Sequence, residues 1–218
     1  MLPSMAGPPS PDPLPVLSSP WVDRGIALVA VAPFAWQLLL AARAGRIGVA
    51  ETAVIVNYSL LVLTMVLRTP PVRVTRNPYY WLLTFVASYW GFLTVLMYEP
   101  GERLAPEWIV DSIALVSLAL TVYARASLGR SIGFVPAERE IVTTGAYAWV
   151  RHPVYAGLFV SLVGLHLEAA SLRNLALDVV AVALFVAKTL AEERFLALNP
   201  AYAAYMRLVR WRWFPGLA

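Results

Sequence analysis

Six apolar runs dominate the chain, near residues 24–42, 49–67, 79–98, 107–126, 153–170 and 173–192. A helix needs roughly 20 such residues, with a range of about 17–25, to cross a hydrocarbon core. Each run is therefore expected to be a transmembrane helix. Pro33 falls inside the first and should kink it unless neighbouring groups satisfy the freed carbonyl. Only a few residues around Ser171-Leu172-Arg173 join the fifth and sixth runs, which predicts a tight antiparallel hairpin. The fifth is short, with Glu168 near its far end. After the last run, Ala201–Arg212 interleaves Tyr202, Tyr205, Met206, Leu208, Val209 and Trp211 with Arg207, Arg210 and Arg212. That pattern predicts an amphipathic interfacial segment with aromatic anchors and snorkelling arginines, stopped by Pro215-Gly216. The expected fold is all-α: a polytopic transmembrane bundle of about six spans with a C-terminal interfacial helix.

Residues 1–20 hold seven of the seventeen prolines and a single charge, Asp12. Such a stretch cannot pack a core and reads as a disordered tail. It lacks a basic region before an apolar core and is not read as a signal peptide. The chain divides into a tail (1–23), N-terminal transmembrane helices (24–126) and a C-terminal region (127–218) where the polar motifs gather.

Composition supports the membrane reading. The 218 residues are 60% hydrophobic and 14% charged, against about 25% charged in soluble domains, and mean hydropathy is +0.67. The net charge of +4 lies in the inter-helix loops, which points to membrane topology, not to nucleic acid. With six spans, thirteen Lys and Arg fall on one side and four (Arg43, Arg46, Arg103, Arg173) on the other. The positive-inside rule then puts both termini and the loop 127–152 in the cytoplasm of a bacterial-type inner or plasma membrane. With no cysteine, disulfides, thiolate metal sites and Cys nucleophiles are excluded. Two histidines far apart in sequence argue against a metal site.

Chemistry-bearing residues cluster in three places: Arg139–Gly145, Arg151-His152-Pro153-Val154-Tyr155, and Lys188–Arg194. Pro153 marks a helix start, since a first-turn proline loses no hydrogen bond. The mouth of that helix offers N–H groups and partial positive charge to an anion. The hairpin should bring the second and third clusters together. Lys188 and Glu192 lie four apart on one helix face, so a simple Lys–Glu surface pair is the plain alternative to a binding site. A ligand suited to a helix mouth, a His, a Tyr and a carboxylate has separated charges and hydroxyls. S-adenosylmethionine fits, and so does a dinucleotide. Arg76-Asn77-Pro78-Tyr79-Tyr80 echoes the His152 motif, most simply as ordinary helix-start grammar. His166, Glu51, Asn57, Asp111 and Asp178 lie in or near spans, where polar residues face the bundle or a substrate path.

These motifs, in this order and spacing, resemble the isoprenylcysteine carboxyl methyltransferases and their relatives, the membrane phospholipid N-methyltransferases. The resemblance runs from about Ser127 to Pro215. It rests on Leu128-Gly129-Arg130-Ser131, Glu140–Tyr147, Arg151–Gly157, Glu192-Glu193 and Tyr202-Ala203-Ala204-Tyr205. It implies an S-adenosylmethionine-dependent methyltransferase acting on a lipid or other hydrophobic acceptor, with 127–218 as the cofactor-binding region. It also implies cofactor contacts at Ile141, Val142, Tyr147, His152, Pro153, Val154, Tyr155, Glu192 and Glu193. Lys188 stands where the family has a substrate-contacting arginine, a departure because Lys is a point charge without Arg's planar fork. No catalytic residue is assigned. An amine or hydroxyl acceptor would need a base from among Glu192, Glu193 and His152. Two other readings remain open: an NADPH-dependent membrane reductase of the sterol-reductase type, drawing on Arg207, Arg210 and Arg212, and a non-enzymatic membrane component.

Overall fold

Helices fill all six expected runs. The computed structural model describes residues 19–43 and 49–217; residues 1–18 of the expected tail lie outside the described residues. The helices are α1 (Pro20–Arg43), α2 (Val49–Leu67), α3 (Pro78–Met97), α4 (Glu107–Leu128), α5 (Pro153–Glu168) and α6 (Leu172–Leu196), followed by α7 (Pro200–Leu208). α1 begins inside the segment read as tail, and it runs through Pro33 as one helix. Among the described residues, α4 and α6 are long and apolar enough to cross a membrane, while Ile55–Leu67 and α5 are apolar but shorter. At ~1.5 Å per residue, the 16 residues of α5 reach only about 24 Å.

Local chemistry explains the helix starts. α3, α5 and α7 each open on proline. Asn77 and Asn199 cap α3 and α7, their Oδ1 atoms accepting from Tyr79 N (3.0 Å) and Ala201 N (2.9 Å). His152, at the same position before α5, makes no side-chain cap; its ring is used elsewhere. The echo between the two motifs therefore stops at helix-start grammar.

The tight hairpin is tight only at its turn. α5 packs mainly on α4 and α6 mainly on α3, with few backbone approaches between α5 and α6. Small residues decide this. A Cβ on Gly157 would lie 2.3 Å from Thr121 Oγ1, and one on Gly164 3.0 Å from Ile113, so the glycine face of α5 belongs to α4. On the other side, Gly91 of α3 makes room for Phe185 of α6, whose ring would lie 3.3 Å from a Cβ there. The two helices diverge and leave space between them.

At the end carrying the 127–152 loop, a buried triad ties the bundle together. Asp23 accepts from Arg68 Nε (2.9 Å) and Nη2 (2.7 Å) and from Arg139 Nη2 (3.0 Å). A short antiparallel pairing joins β1 (Arg73–Val74) to β2 (Ala137–Glu138), in register Arg73 to Glu138. Together these hold the loop after α4 against the ends of α1 and α2. Burial and the neighbouring Arg68 push the Arg139 guanidinium down to about 10, while Asp23 pulls the other way.

At the opposite end, Tyr98 donates to Asp178 (2.5 Å) and His166 Nδ1 lies 3.2 Å from the same carboxylate. Asn174 spans Glu99 and Ala169 carbonyls. His166 thus sits at the far end of α5 from His152.

Replacing Asp23 by Ala should leave Arg68 and Arg139 buried without a carboxylate. A loss of about 3–5 kcal/mol is expected, read as a lower unfolding midpoint in neutral detergent. Arg103→Ala, at a half-exposed pair on the other end (Arg103 side chain 49% exposed), should change stability by less than about 1 kcal/mol.

Candidate functional site

The space between the diverging helices is a cavity of about 280 Å³. α2, α4, α5, α6, α7 and the loop 131–142 all line it. Its wall includes Ile141, Val142, Tyr147, His152, Val154, Tyr155, Lys188 and Glu192. Two sequence candidates stand off it: Pro153, buried in the first turn of α5, and Glu193.

The adjacent carboxylates are separated by geometry. Glu193 is 3% exposed and sits among three basic groups. Its Oε1 accepts from Arg151 Nε (2.6 Å) and meets His152 Nε2 (3.2 Å); its Oε2 accepts from Arg212 Nε (3.0 Å). Glu192 faces the cavity and accepts from the Tyr155 hydroxyl at 3.1 and 3.0 Å. A carboxylate only accepts, so His152 Nε2 carries the hydrogen toward Glu193. That leaves Nδ1 on the Glu192 side, 3.8 Å from Oε2. The His152 and Tyr155 rings stack with 5.5 Å between centroids and 3° between planes.

The helix mouth is partly closed, where the sequence suggested an open one. The backbone N–H groups of Arg151 and His152 donate to Trp211 O (2.9 Å) and Arg212 O (2.7 Å), and Pro153 has none. Arg151 Nη1 holds the same tail through Val209 O and Arg210 O. The chain after α7 therefore takes two backbone donors beside the mouth, those of Arg151 and of the cap residue His152. This also changes the role of α7. Tyr202 and Tyr205 are buried at 7% and 4% exposure, packed with Val209 against Ile141, Leu196 and Met206. The Tyr205 hydroxyl donates to Tyr147 O (2.8 Å). These aromatics wall the cavity and do not anchor at a surface.

Lys188 is 4% exposed and bonds Ser88 Oγ at 3.2 Å. Its Nζ lies 5.5, 5.4 and 5.7 Å from the ring centres of Phe134, Tyr155 and Phe185. A surface Lys188–Glu192 pair is absent among the described ion pairs; the ammonium sits in an aromatic cage. Ser88, Phe134 and Phe185 carried no sequence signal, because Phe and Ser in apolar runs look like any core or helix-contact residue. Asn57 lines the cavity too, as does Arg125, which sequence reading counted only toward topology.

Burial raises the Tyr147, Tyr202 and Tyr205 phenols above their usual value of 10. A folded value above the unfolded one means stability is fully present below pH 10 and is lost as pH rises beyond it. Alkaline titration of phenolate absorbance should show these tyrosines ionising after the exposed ones, together with loss of helix signal. Ionisation of all ten tyrosines in one step near pH 10 with helix content intact would contradict the packing of α7.

Comparison with known proteins bears on this segment. No curated protein matches the chain. Residues 107–203, from α4 into α7, match the family model described as phospholipid methyltransferase. The resemblance carried by the motifs is thereby shown: over that stretch the chain is similar to the phospholipid methyltransferase family of membrane methyltransferases.

Proposed function

We propose that the protein is an integral membrane methyltransferase that uses S-adenosylmethionine to methylate a lipid or other hydrophobic acceptor. In this reading α1–α6 are six spans, both termini are cytoplasmic, and residues 127–218 form the cofactor-binding region beside an N-terminal set of helices. The observation that carries it is the meeting of Glu192 with Tyr155 and His152 at one cavity, inside the matched segment.

The lining suits the cofactor. Phe134, Tyr155 and Phe185, whose rings surround Lys188 Nζ, give the wall aromatic faces of the kind that suit a sulfonium. Glu192 presents acceptor lone pairs, fit for ribose hydroxyls. When bound, the cofactor supplies a methyl group already activated on sulfur. The chain then needs to orient and to exclude water. Tyr155 orients Glu192, and Glu193 orients His152. The segment after α7, with Tyr202 and Tyr205 of α7, closes the cytoplasmic side. His152 Nδ1 and Glu192 are the groups placed to take a proton from an amine or hydroxyl acceptor. Glu193, held by Arg151 and Arg212, is assigned a positioning role. The alternative reductase reading loses support because Arg207 and Arg210 are exposed and Arg212 is paired with Glu193; none of the three lines the cavity.

Calorimetry with S-adenosylmethionine on the purified protein, then labelled-methyl transfer into a total lipid extract, tests the reading. His152→Ala and Glu192→Ala should each weaken cofactor binding about tenfold or more, ~1.4 kcal/mol. Unchanged affinity in both variants would remove the site assignment. Glu193→Gln should instead lower the unfolding midpoint, since Arg151 and Arg212 lose their buried partner.

A further inference from the structure

Four arginines are buried among the described residues: Arg68, Arg125, Arg139 and Arg151. Three of them have a carboxylate at 2.7, 3.0 and 2.6 Å. Arg125 has none among the described ion pairs. It is 7% exposed and lines the cavity. Its Nη1 and Nη2 reach only Thr64 Oγ1 and Asn57 Oδ1, each at 3.4 Å, and its Nε is buried with no partner at all. Long contacts to two neutral oxygens do not offset the removal of a guanidinium from water. A second orphan, Arg139 Nη1, belongs to a residue of the same wall.

The charge balance agrees. Arg125, Arg139, Arg151 and Lys188 line the cavity against Glu140 and Glu192, an excess of positive charge that persists with Lys188 left aside. Beyond the wall, Asp23 and Glu193 are each shared between two guanidiniums, so neither removes the excess. A cofactor with two cationic groups and one carboxylate adds to it. Around Arg125 the wall is otherwise mostly apolar: Leu61, Met65 and Leu128, with Tyr58 beside them. Beside the mouth of α5, the backbone donors of Arg151 and His152 are taken by the C-terminal segment.

We propose that Arg125, with Asn57, is the anchor for an anionic group, carboxylate or phosphate, on the methyl acceptor, whose apolar part lies between α2 and α4. The assignment rests on the methyltransferase reading for the word acceptor; the anion site itself rests on Arg125. The N-terminal helices, through Asn57 and Thr64, thereby take part in choosing the acceptor.

The test uses the full chain in neutral detergent, with octyl phosphate, octanoate, octanol and inorganic phosphate as calorimetric probes and S-adenosylmethionine titrated separately. The wild type should bind octyl phosphate or octanoate at least tenfold more tightly than octanol, and inorganic phosphate should not match the tailed anion. Arg125→Gln should abolish that preference while cofactor affinity stays within about twofold. Arg207→Gln, at an exposed arginine, should leave both unchanged. Should Arg125→Gln fail to fold, Arg125→Lys keeps the charge without the fork and should weaken the anion severalfold. Equal binding of octanol and the anions, or a preference that survives in Arg125→Gln, overturns the site. Inorganic phosphate binding as tightly as octyl phosphate would make it a site for free anions and overturn the acceptor role. Anion preference without any cofactor binding would sink the methyltransferase reading and the acceptor role while leaving Arg125 as an anion site, so the two failures are told apart.

Discussion

One carboxylate holds together the wall of the cavity at the His152 end. Glu193 accepts from Arg151, His152 and Arg212, which come from the loop before α5, the cap of α5 and the chain after α7. Without that shared acceptor, three basic groups would crowd one buried place, and α6 would keep only the Glu192–Tyr155 hydrogen bonds to the tip of α5. The pairing sets the tautomer of His152 and the position of the chain segment that lies beside the mouth. It also frees the neighbouring Glu192, one residue back and turned by about 100° on the helix, to face the cavity.

Asp23 repeats the same device on the other side of the cavity, between Arg68 and Arg139. Each carboxylate serves two guanidiniums, which fixes two chain segments with one buried anion. Each trio is left with positive charge, and the cavity lies between them. Rigid walls and a surplus of positive potential therefore have a common origin. The small-residue faces of α3 and α5 complete the design. By drawing α6 to α3 and α5 to α4, they open the space that the charged trios enclose.

The helix positions were legible in the sequence because hydrophobic runs, prolines at helix starts and short polar joints act locally. The family resemblance was legible too, since its motifs are contiguous strings; it was read over about 127–215, and the match starts earlier, with α4, and ends at 203. The pairing pattern was not. A three-residue turn between α5 and α6 suggested that they pack along their length. Whether they do depends on Gly157 and Gly164 meeting Thr121 and Ile113 of α4, contacts that connect residues some forty to fifty positions apart. The partial closing of the helix mouth was missed for a related reason: the N–H groups of Arg151 and His152 are satisfied by residues 211 and 212, and no local rule announces that partner.

What the sequence alone determined is where the helices lie, that two of them, α4 and α6, are long and apolar enough to cross a membrane, and that polar chemistry gathers around His152 and Glu192. These follow from periodicity, composition and spacing, which are properties of short windows. Tertiary structure decided which of two adjacent glutamates faces the cavity, that Lys188 lies in an aromatic cage and not in a surface pair, and that Arg125 alone among the described buried arginines lacks a carboxylate. Those outcomes depend on which side chains from distant segments arrive at the same buried volume, because the free energy of a buried charge is set by its neighbours in space.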